Sequence, residues 1–350
     1  MKPLNWKEGF RDSLTGWYRE EKRDLPWRRT RNPYHIWISE VMLQQTRVDT
    51  VIPYYARFTE RFSDMKELAY APEDELMKMW EGLGYYSRAR NLQSAVREAY
   101  ETYGEVPADP ESFGKLKGVG PYTEGAVMSI AYGIPAPAVD GNVMRVLSRI
   151  LLIDDDIAKP KTRRLFEEAV MDLIDKEDPS SFNQGLMELG AVICTPRRPK
   201  CLLCPVREFC GAYHEGREEE LPVKSKKKKQ QSFPHTVIVL QDSGGRWLME
   251  QRPDEGLLAG MWQFPTAETG DPEEAVRIIS ERHGLSVGTL EEAVRFRHVF
   301  THRIWEVTAY TASVPEAGTP ADRSGWFLPE DLDALTLPNP TKKVRAALGV

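Results

Sequence analysis

Two carboxylates and four thiols are the groups best placed to do chemistry in this 350-residue chain. Glu40 lies in Ile36-Trp-Ile-Ser-Glu-Val-Met-Leu43, where every near neighbour except Ser39 is apolar. Such crowding strips hydration from a charged carboxylate, so its pKa rises and it can hold a proton near neutrality. Ser39 could also open a helix, and a carboxylate in a first turn is favoured by the helix dipole. Asp140 precedes Gly-Asn-Val-Met-Arg-Val-Leu147 and reads first as the N-cap of that helix. A cap carboxylate can still project at a substrate. The chain has only four cysteines, Cys194, Cys201, Cys204 and Cys210, all inside one 17-residue stretch. A disulfide framework would spread them, and a zinc ribbon would pair them as two C-x2-C turns. The spacing C-x6-C-x2-C-x5-C places four thiolates in one loop, which suits a 4Fe–4S cluster.

Gly118-Val-Gly-Pro-Tyr122 adds a tight turn before a helix that starts on Pro121. The exposed N–H groups of such a start can hold a phosphate. Taken alone, a plain helix connection explains the turn as well. Arg197, Arg198, Lys200 and Arg207 decorate the cysteine loop and read either as a solvated surface or as phosphate contacts.

The elements that must position these groups follow from periodicity. Helical spacing of apolar residues runs through 33–47, 49–62, 72–81, 87–103, 121–132, 141–152, 161–174 and 182–192, divided by Gly and Pro turns. The expected first domain is therefore all-α and spans 1–222, with the iron–sulfur loop at 194–210. Residues 223–231, Val-Lys-Ser-Lys-Lys-Lys-Lys-Gln-Gln, read as a solvated Lys-rich linker. Beyond it, 236–240 and 246–250 read as strands, 272–283 as a helix and 303–313 as a strand. A second, α+β domain is expected over 232–350. The net charge is −6, and all of it falls after 231, where 17 acidic residues meet 11 basic ones. A neutral first domain can still carry a local basic groove. At 41% hydrophobic residues the chain can build real cores, yet no run reaches membrane-spanning length. A cytoplasmic monomer that does not engage a membrane is expected.

The glycine hairpin, the Asp twenty residues after it and the cysteine loop together resemble the helix–hairpin–helix DNA glycosylase superfamily. The cysteine spacing, Gly118-Val-Gly-Pro-Tyr-Thr123 and Ser39-Glu-Val-Met-Leu-Gln-Gln-Thr46 are similar to its endonuclease III and MutY branch, over residues 6–221. The resemblance implies a monofunctional glycosylase acting on double-stranded DNA that carries adenine opposite 8-oxoguanine. The bifunctional members have a lysine where this chain has Tyr122, and tyrosine cannot form a Schiff base. By the same resemblance Glu40 protonates N7 of a flipped adenine. Asp140 stays ionised and stabilises an oxocarbenium-like sugar, electrostatically or through a transient covalent bond. Tyr122 hydrogen-bonds near Asp140, with Asn142 as its polar neighbour. Gly118 and Gly120 grip the backbone. Gln45 and Tyr85 fill the gap left in the duplex, with Thr46 and Leu83 beside them. Trp27 stacks on the base with Arg28 nearby, and Gln184 and Glu188 read its polar edge.

The stretch Gly256–Pro265 resembles the Nudix (MutT-like) fold, but of that family's acidic helix motif only Glu281 remains, so nucleotide hydrolysis is not expected. In the MutY branch this domain recognises 8-oxoguanine through a Phe-Ser-His loop. Here it is Phe300, Thr301 and His302, whose ordinary reading is a strand connection. Two other functions stay open. A glycosylase-lyase is opposed by Tyr122 and by the second domain, and a catalytically silent lesion binder is opposed by Glu40 and Asp140.

Overall fold

The computed structural model describes residues 6–225, 230–315 and 317–349. In chain order the helices are α1 (Trp6–Glu21), α2 (Pro33–Leu43), α3 (Val48–Arg61), α4 (Met65–Ala69), α5 (Glu73–Trp80), α6 (Ser87–Tyr103), α7 (Pro110–Gly114), α8 (Pro121–Tyr132), α9 (Gly141–Leu151), α10 (Pro160–Leu173), α11 (Pro179–Val192), α12 (Gly211–Glu215), α13 (Pro272–His283) and α14 (Asn339–Ala347). The strands are β1 (Gln231–Gln241), β2 (Trp247–Gln251), β3 (Trp262–Gln263), β4 (Thr266–Ala267), β5 (Glu291–Val299), β6 (Arg303–Ser313) and β7 (Ser324–Phe327). Two compact units divide the chain: Met1–Glu73 with Ser87–Lys226, and Asp74–Tyr86 with Lys227–Val350. Of the expected linker, 226–229 lie outside the described residues. Its end is shorter than expected, because Gln231 already pairs with Arg303 in the sheet. Its start is tied to the first unit, where Ile157 N–H donates to the Val223 carbonyl at 3.0 Å.

The first unit is helical. Its core gathers one stripe from each of α1, α9, α10 and α11, including Phe10, Leu14, Val143, Val146, Phe166, Phe182 and Leu186. Helix α2 differs, because its residues from Ile36 to Met42 are all buried. A helix apolar all round belongs inside a fold rather than on its surface. Asn32 caps it, its Oδ1 accepting from Tyr34 N–H at 2.9 Å, and Pro33 takes the first helical position, where no N–H is needed. Glu40 is thus the eighth residue of α2. The expectation of a helix start at Ser39 is corrected: the apolar surroundings, and not a first-turn dipole, govern this carboxyl.

The second unit is an α+β body around one sheet with the order β3-β2-β1-β6-β5, to which β4 and β7 add pairs with β1 and β2. Strands β1 and β6 run parallel, while β5 and β6 form an antiparallel pair. Side chains of β1 alternate between two cores. Val237 and Val239 pack with Trp305, Leu337 and Val344 on one face, and Ile238 and Leu240 with Ala275 and Ile279 of α13 on the other. Burial on both faces explains the unbroken Val-Ile-Val-Leu run. Strand β5 was not expected from the sequence. Its polar, largely exposed string of Glu, Arg and His is that of a charged sheet edge.

Candidate active site

The glycine turn and the start of α9 form opposite walls of one cleft in the first unit. Its volume is about 590 Å³, and its lining includes Gln45, Gly118, Gly120, Tyr122, Asp140 and Arg163. Small-molecule sites commonly run from roughly 300 to 1,000 Å³. Gly118 adopts φ +79°, and a Cβ there would lie 2.9 Å from Asn91 Cβ, so both conformation and space demand glycine. Gly120 meets no such contact; it is the extended N-cap before Pro121.

Glu40 reaches this cleft through Tyr122, whose hydroxyl donates to Glu40 Oε2 at 2.6 Å. The expected partner of Tyr122 was Asp140, and the structure replaces it with Glu40. Burial pushes the Glu40 carboxyl up from 4.5 to about 7; the Tyr122 hydrogen bond and the Arg28 charge oppose the rise, and the Asp140 charge adds to it. That last effect means the Glu40 carboxyl senses the Asp140 charge.

Asp140 is the N-cap of α9, with Oδ1 accepting from Val143 N–H at 2.7 Å. Asn142 Nδ2 donates to its other oxygen at 2.8 Å. Burial raises the Asp140 pKa, while these two hydrogen bonds and the Arg145 charge hold it down. Both acids are therefore desolvated; Glu40 accepts from Tyr122 on one oxygen, whereas both oxygens of Asp140 accept from donors that favour the charged form.

A chain of contacts runs from Asp140 to the cysteine loop. Arg145 Nη2 donates to Asn142 Oδ1 at 2.9 Å and to Gly190 O at 2.7 Å, and its Nε donates to Cys194 O at 2.7 Å. A Cβ on Gly190 would sit 2.6 Å from Asn142 Cβ, so the close approach of α11 to α9 depends on that glycine. One turn further along α9, Arg149 is 1% exposed. It donates to Thr195 O at 2.8 Å, Leu221 O at 3.0 Å and Cys194 Sγ at 3.2 Å. Arg145, Arg149 and Gly190 were missed in the sequence; the i, i+4 arginines on an otherwise apolar helix face were the available signal.

The four cysteines line one hollow with Val146, Ile150, Leu189 and Val206. Among the described residues no three His, Cys, Asp or Glu side chains are drawn together as around a single ion. Burial pushes the Cys204 thiol up to about 12 and the Cys210 thiol to about 11; a bound iron–sulfur cluster would supply the positive charge that holds them as thiolates. An all-thiol donor set in an apolar hollow beside an arginine fits an iron–sulfur cluster.

Other expected site residues fall elsewhere. Glu188 is not available to read a base. Arg23 Nε and Arg28 Nη2 hold it at 2.7 and 2.8 Å, and although burial alone would raise its pKa, these two partners hold it down at about 2. Arg28 is committed to that pair. Trp27 is 6% exposed and packs edge-on against Tyr55 at 5.5 Å, so its face is spent in the core. Gln184 donates to Ser180 Oγ at 3.1 Å. Gln45 is exposed at φ +59°, an uncommon conformation for a residue with a Cβ. Arg88, also missed, sustains it: Nη1 donates to the carbonyls of Val41, Met42 and Gln44 at the end of α2, and Nη2 donates to Thr46 Oγ1 at 3.2 Å. In the second unit Leu83 is buried, whereas Tyr85 is exposed and adopts φ +48°. Phe300, Thr301 and His302 make the turn between β5 and β6, with Phe300 edge-on to Trp305 at 4.8 Å.

Residues 38–171 match the HhH-GPD superfamily of base excision DNA repair proteins, 194–210 the iron–sulfur binding domain of endonuclease III, and 236–347 the NUDIX domain. An adenine DNA glycosylase of Mus musculus is 34% identical over 96% of this chain and 77% of its own length. The adenine DNA glycosylase of Schizosaccharomyces pombe is 33% identical over 98% and 90%.

This chain belongs to the adenine DNA glycosylases.

A third relative of that name, from Buchnera aphidicola subsp. Acyrthosiphon pisum, is 30% identical over 96% of both chains. Among solved structures, a thermostable thymine-DNA glycosylase superposes with TM-score 0.54 at 30% identity, covering 60% of this chain and 97% of that one. A trapped endonuclease III–DNA covalent intermediate gives 0.52 at 28% identity, covering 61% and 99%. As an adenine DNA glycosylase the chain is a base excision repair enzyme acting on DNA, with a helix–hairpin–helix domain, a Nudix-like domain and a 4Fe–4S cluster. Its only cysteines, Cys194, Cys201, Cys204 and Cys210, are the thiols that can hold that cluster. Among the described residues no helix is long and apolar enough to cross a membrane.

Proposed function

We propose that this adenine DNA glycosylase acts on adenine opposite 8-oxoguanine and is monofunctional, with Glu40 as general acid and Asp140 as the stabilising carboxylate. The observation that carries the reading is the pair itself: a buried Glu40 carboxyl pushed up to about 7, in part by the Asp140 charge, and a partly buried Asp140 whose two oxygens accept from donors that favour its charged form. Protonated Glu40 gives its proton to N7 of an extruded adenine. The bond from C1′ to N9 then breaks, and its electron pair leaves with a neutral base. The ionised Asp140 stabilises the positive charge at C1′. Glu40, now a carboxylate, takes a proton from the water that adds to C1′, which restores the acid. Adenine must leave the stack to enter the cleft, and Gln45 and Tyr85 are the side chains we assign to the vacated space, with Thr46 and Leu83 behind them. Tyr122 orients the Glu40 carboxyl and offers no amine for lyase chemistry. The cluster, when bound, supplies a rigid anchor for the loop whose Arg197, Arg198 and Lys200 are exposed.

A nicking assay on duplex with adenine opposite 8-oxoguanine tests this. Strand cleavage is expected only after alkali or heat. Scission without that treatment would mean a lyase, and absence of an abasic product under both conditions would mean a silent binder.

Phe300, Thr301 and His302 are assigned to the 8-oxoguanine. Thr301 keeps the hydroxyl of the family's serine and adds a methyl group. Replacing Thr301 and His302 together by Ala should lower the ratio of excision rates opposite 8-oxoguanine and opposite guanine by about tenfold or more, the scale of one or two lost hydrogen bonds. Equal discrimination before and after would remove the loop from lesion reading. We further propose that the enzyme works as a monomer.

A further inference from the structure

The second compact unit contains Asp74–Tyr86, whose end is the Gly82-Leu-Gly-Tyr85 turn. The turn is tightly wound, with φ +104° at Gly82, +72° at Gly84 and +48° at Tyr85. Trp80 Nε1 donates to Gly84 O at 3.2 Å, and Gly82 N–H donates to Tyr86 Oη at 3.2 Å, closing the turn on itself. At one end of this stretch Tyr85 Oη is hydrogen-bonded to Thr301 Oγ1. At the other stands Glu81, whose side chain is only 10% exposed. Its Oε1 accepts from Leu337 N–H at 2.8 Å, and its Oε2 lies 3.1 Å from both Lys342 Nζ and Lys78 Nζ. Lys78 Nζ in turn donates to the Leu335 carbonyl at 3.0 Å. Leu337 is 2% exposed and packs into the core beneath the sheet, so the segment that carries this amide is pinned by a buried side chain.

We infer that Glu81 is a positioning residue for lesion discrimination: by clamping on the backbone at Leu337 and on Lys342, it sets the Gly82–Tyr85 turn so that the Tyr85 hydroxyl meets Thr301. The inference rests on the proposed reading in which Tyr85 enters the space that adenine vacates and Thr301 faces the base opposite. The physical reason is strain. A residue with a Cβ at positive φ persists only when its surroundings over-determine it. A shielded carboxylate with two ammonium groups and an amide N–H supplies such a hold, because charge-assisted hydrogen bonds are about twice as strong as neutral ones. Glu81 touches no reacting atom, so its loss acts through Tyr85 and not on the chemical step.

The test measures single-turnover adenine excision opposite 8-oxoguanine and opposite guanine for the full-length holoenzyme and for Glu81→Ala, Glu81→Gln, Thr301→Ala and the Glu81→Ala/Thr301→Ala pair. A 2-aminopurine placed beside the lesion reports insertion by its fluorescence. Glu81→Ala is expected to lower the 8-oxoguanine-to-guanine rate ratio about tenfold, and to weaken the fluorescence response, while the rate opposite guanine stays within about twofold. The double variant should discriminate no worse than Thr301→Ala, because both changes break one path. An unchanged ratio in Glu81→Ala, or equal slowing on both substrates, overturns the inference. Should Glu81→Ala not fold, Glu81→Gln decides: a smaller loss in the same direction supports the clamp and none overturns it. A wild type without the preference, or a Thr301→Ala variant that keeps it, sinks the underlying reading and the clamp with it. A preference lost in Thr301→Ala and kept in Glu81→Ala overturns the clamp alone.

Discussion

Glu40→Gln is expected to slow adenine release about a thousandfold while DNA affinity stays within a few-fold, the scale on which a general acid contributes. The amide keeps the shape of the carboxyl and can still accept from the Tyr122 hydroxyl, so what is lost is the group's capacity to give a proton to the base and take one from water. Asp140→Asn should cost roughly 10²- to 10³-fold, because a neutral amide no longer balances the charge at C1′. Single-turnover kinetics with a binding titration check both; a rate within tenfold of wild type would remove that residue from its role. The same burial dictates a pH profile. Glu40 is competent when protonated, so the rate should fall as pH rises through about 7.

Stability should move the other way in the variant. The folded-state pKa of Glu40, about 7, stands above the ordinary 4.5. Between these values the folded protein keeps a proton that the unfolded chain has released, so native stability declines as pH rises across that window. Above it the buried carboxylate costs on the order of 3 kcal/mol at about 1.4 kcal/mol per tenfold. Glu40→Gln abolishes this cost, so it should unfold later than wild type at pH 8, with the gap closing below about pH 4.5. Denaturant titrations at both pH values measure it, and a gap that ignores pH would mean Glu40 is not desolvated as the structure has it.

Arg149→Met should strip iron from the protein and destabilise the first unit by about 2 to 4 kcal/mol, since each buried acceptor left without a donor costs roughly 1 to 3 kcal/mol. The buried guanidinium serves the Thr195 carbonyl at the start of the cysteine loop, the Leu221 carbonyl beyond its end, and the Cys194 sulfur. Methionine fills the volume and leaves those acceptors without a donor. Iron content per chain and denaturant unfolding read the two effects separately. Arg149→Met with full iron and wild-type stability would show that the loop holds its cluster without this clamp. Arg149→Lys should fall between, since one ammonium cannot span acceptors that a planar fork reaches together.

Local pattern carried the elements well where burial repeats with the period of the structure. Helices α6, α8 and α13 and strand β6 follow directly from their apolar spacing. Strand β5 does not, because an edge strand is written in charged residues and is recognised only by its partner, β6. The four thiols were legible because one loop contains them all. The roles of Glu188 and Trp27 were not, since each is decided by residues far away in the sequence: Arg23 for the first, Tyr55 for the second.

By itself the sequence determined the kinds of chemistry available: a carboxyl in apolar surroundings, a capping aspartate, a cluster loop, and tyrosine where a lyase needs lysine. These depend on residue type and near neighbours, which the order of the chain specifies. Only the tertiary structure decided that Tyr122 serves Glu40 and not Asp140, that Glu188 is locked in an ion pair, and that Asp74–Tyr86 bonds to the segment before α14, to Lys342 and to the turn between β5 and β6. Hydrogen bonds and ion pairs are short-range and directional, so which donor meets which acceptor is set by how distant helices and strands pack, and that arrangement leaves no local mark in the sequence.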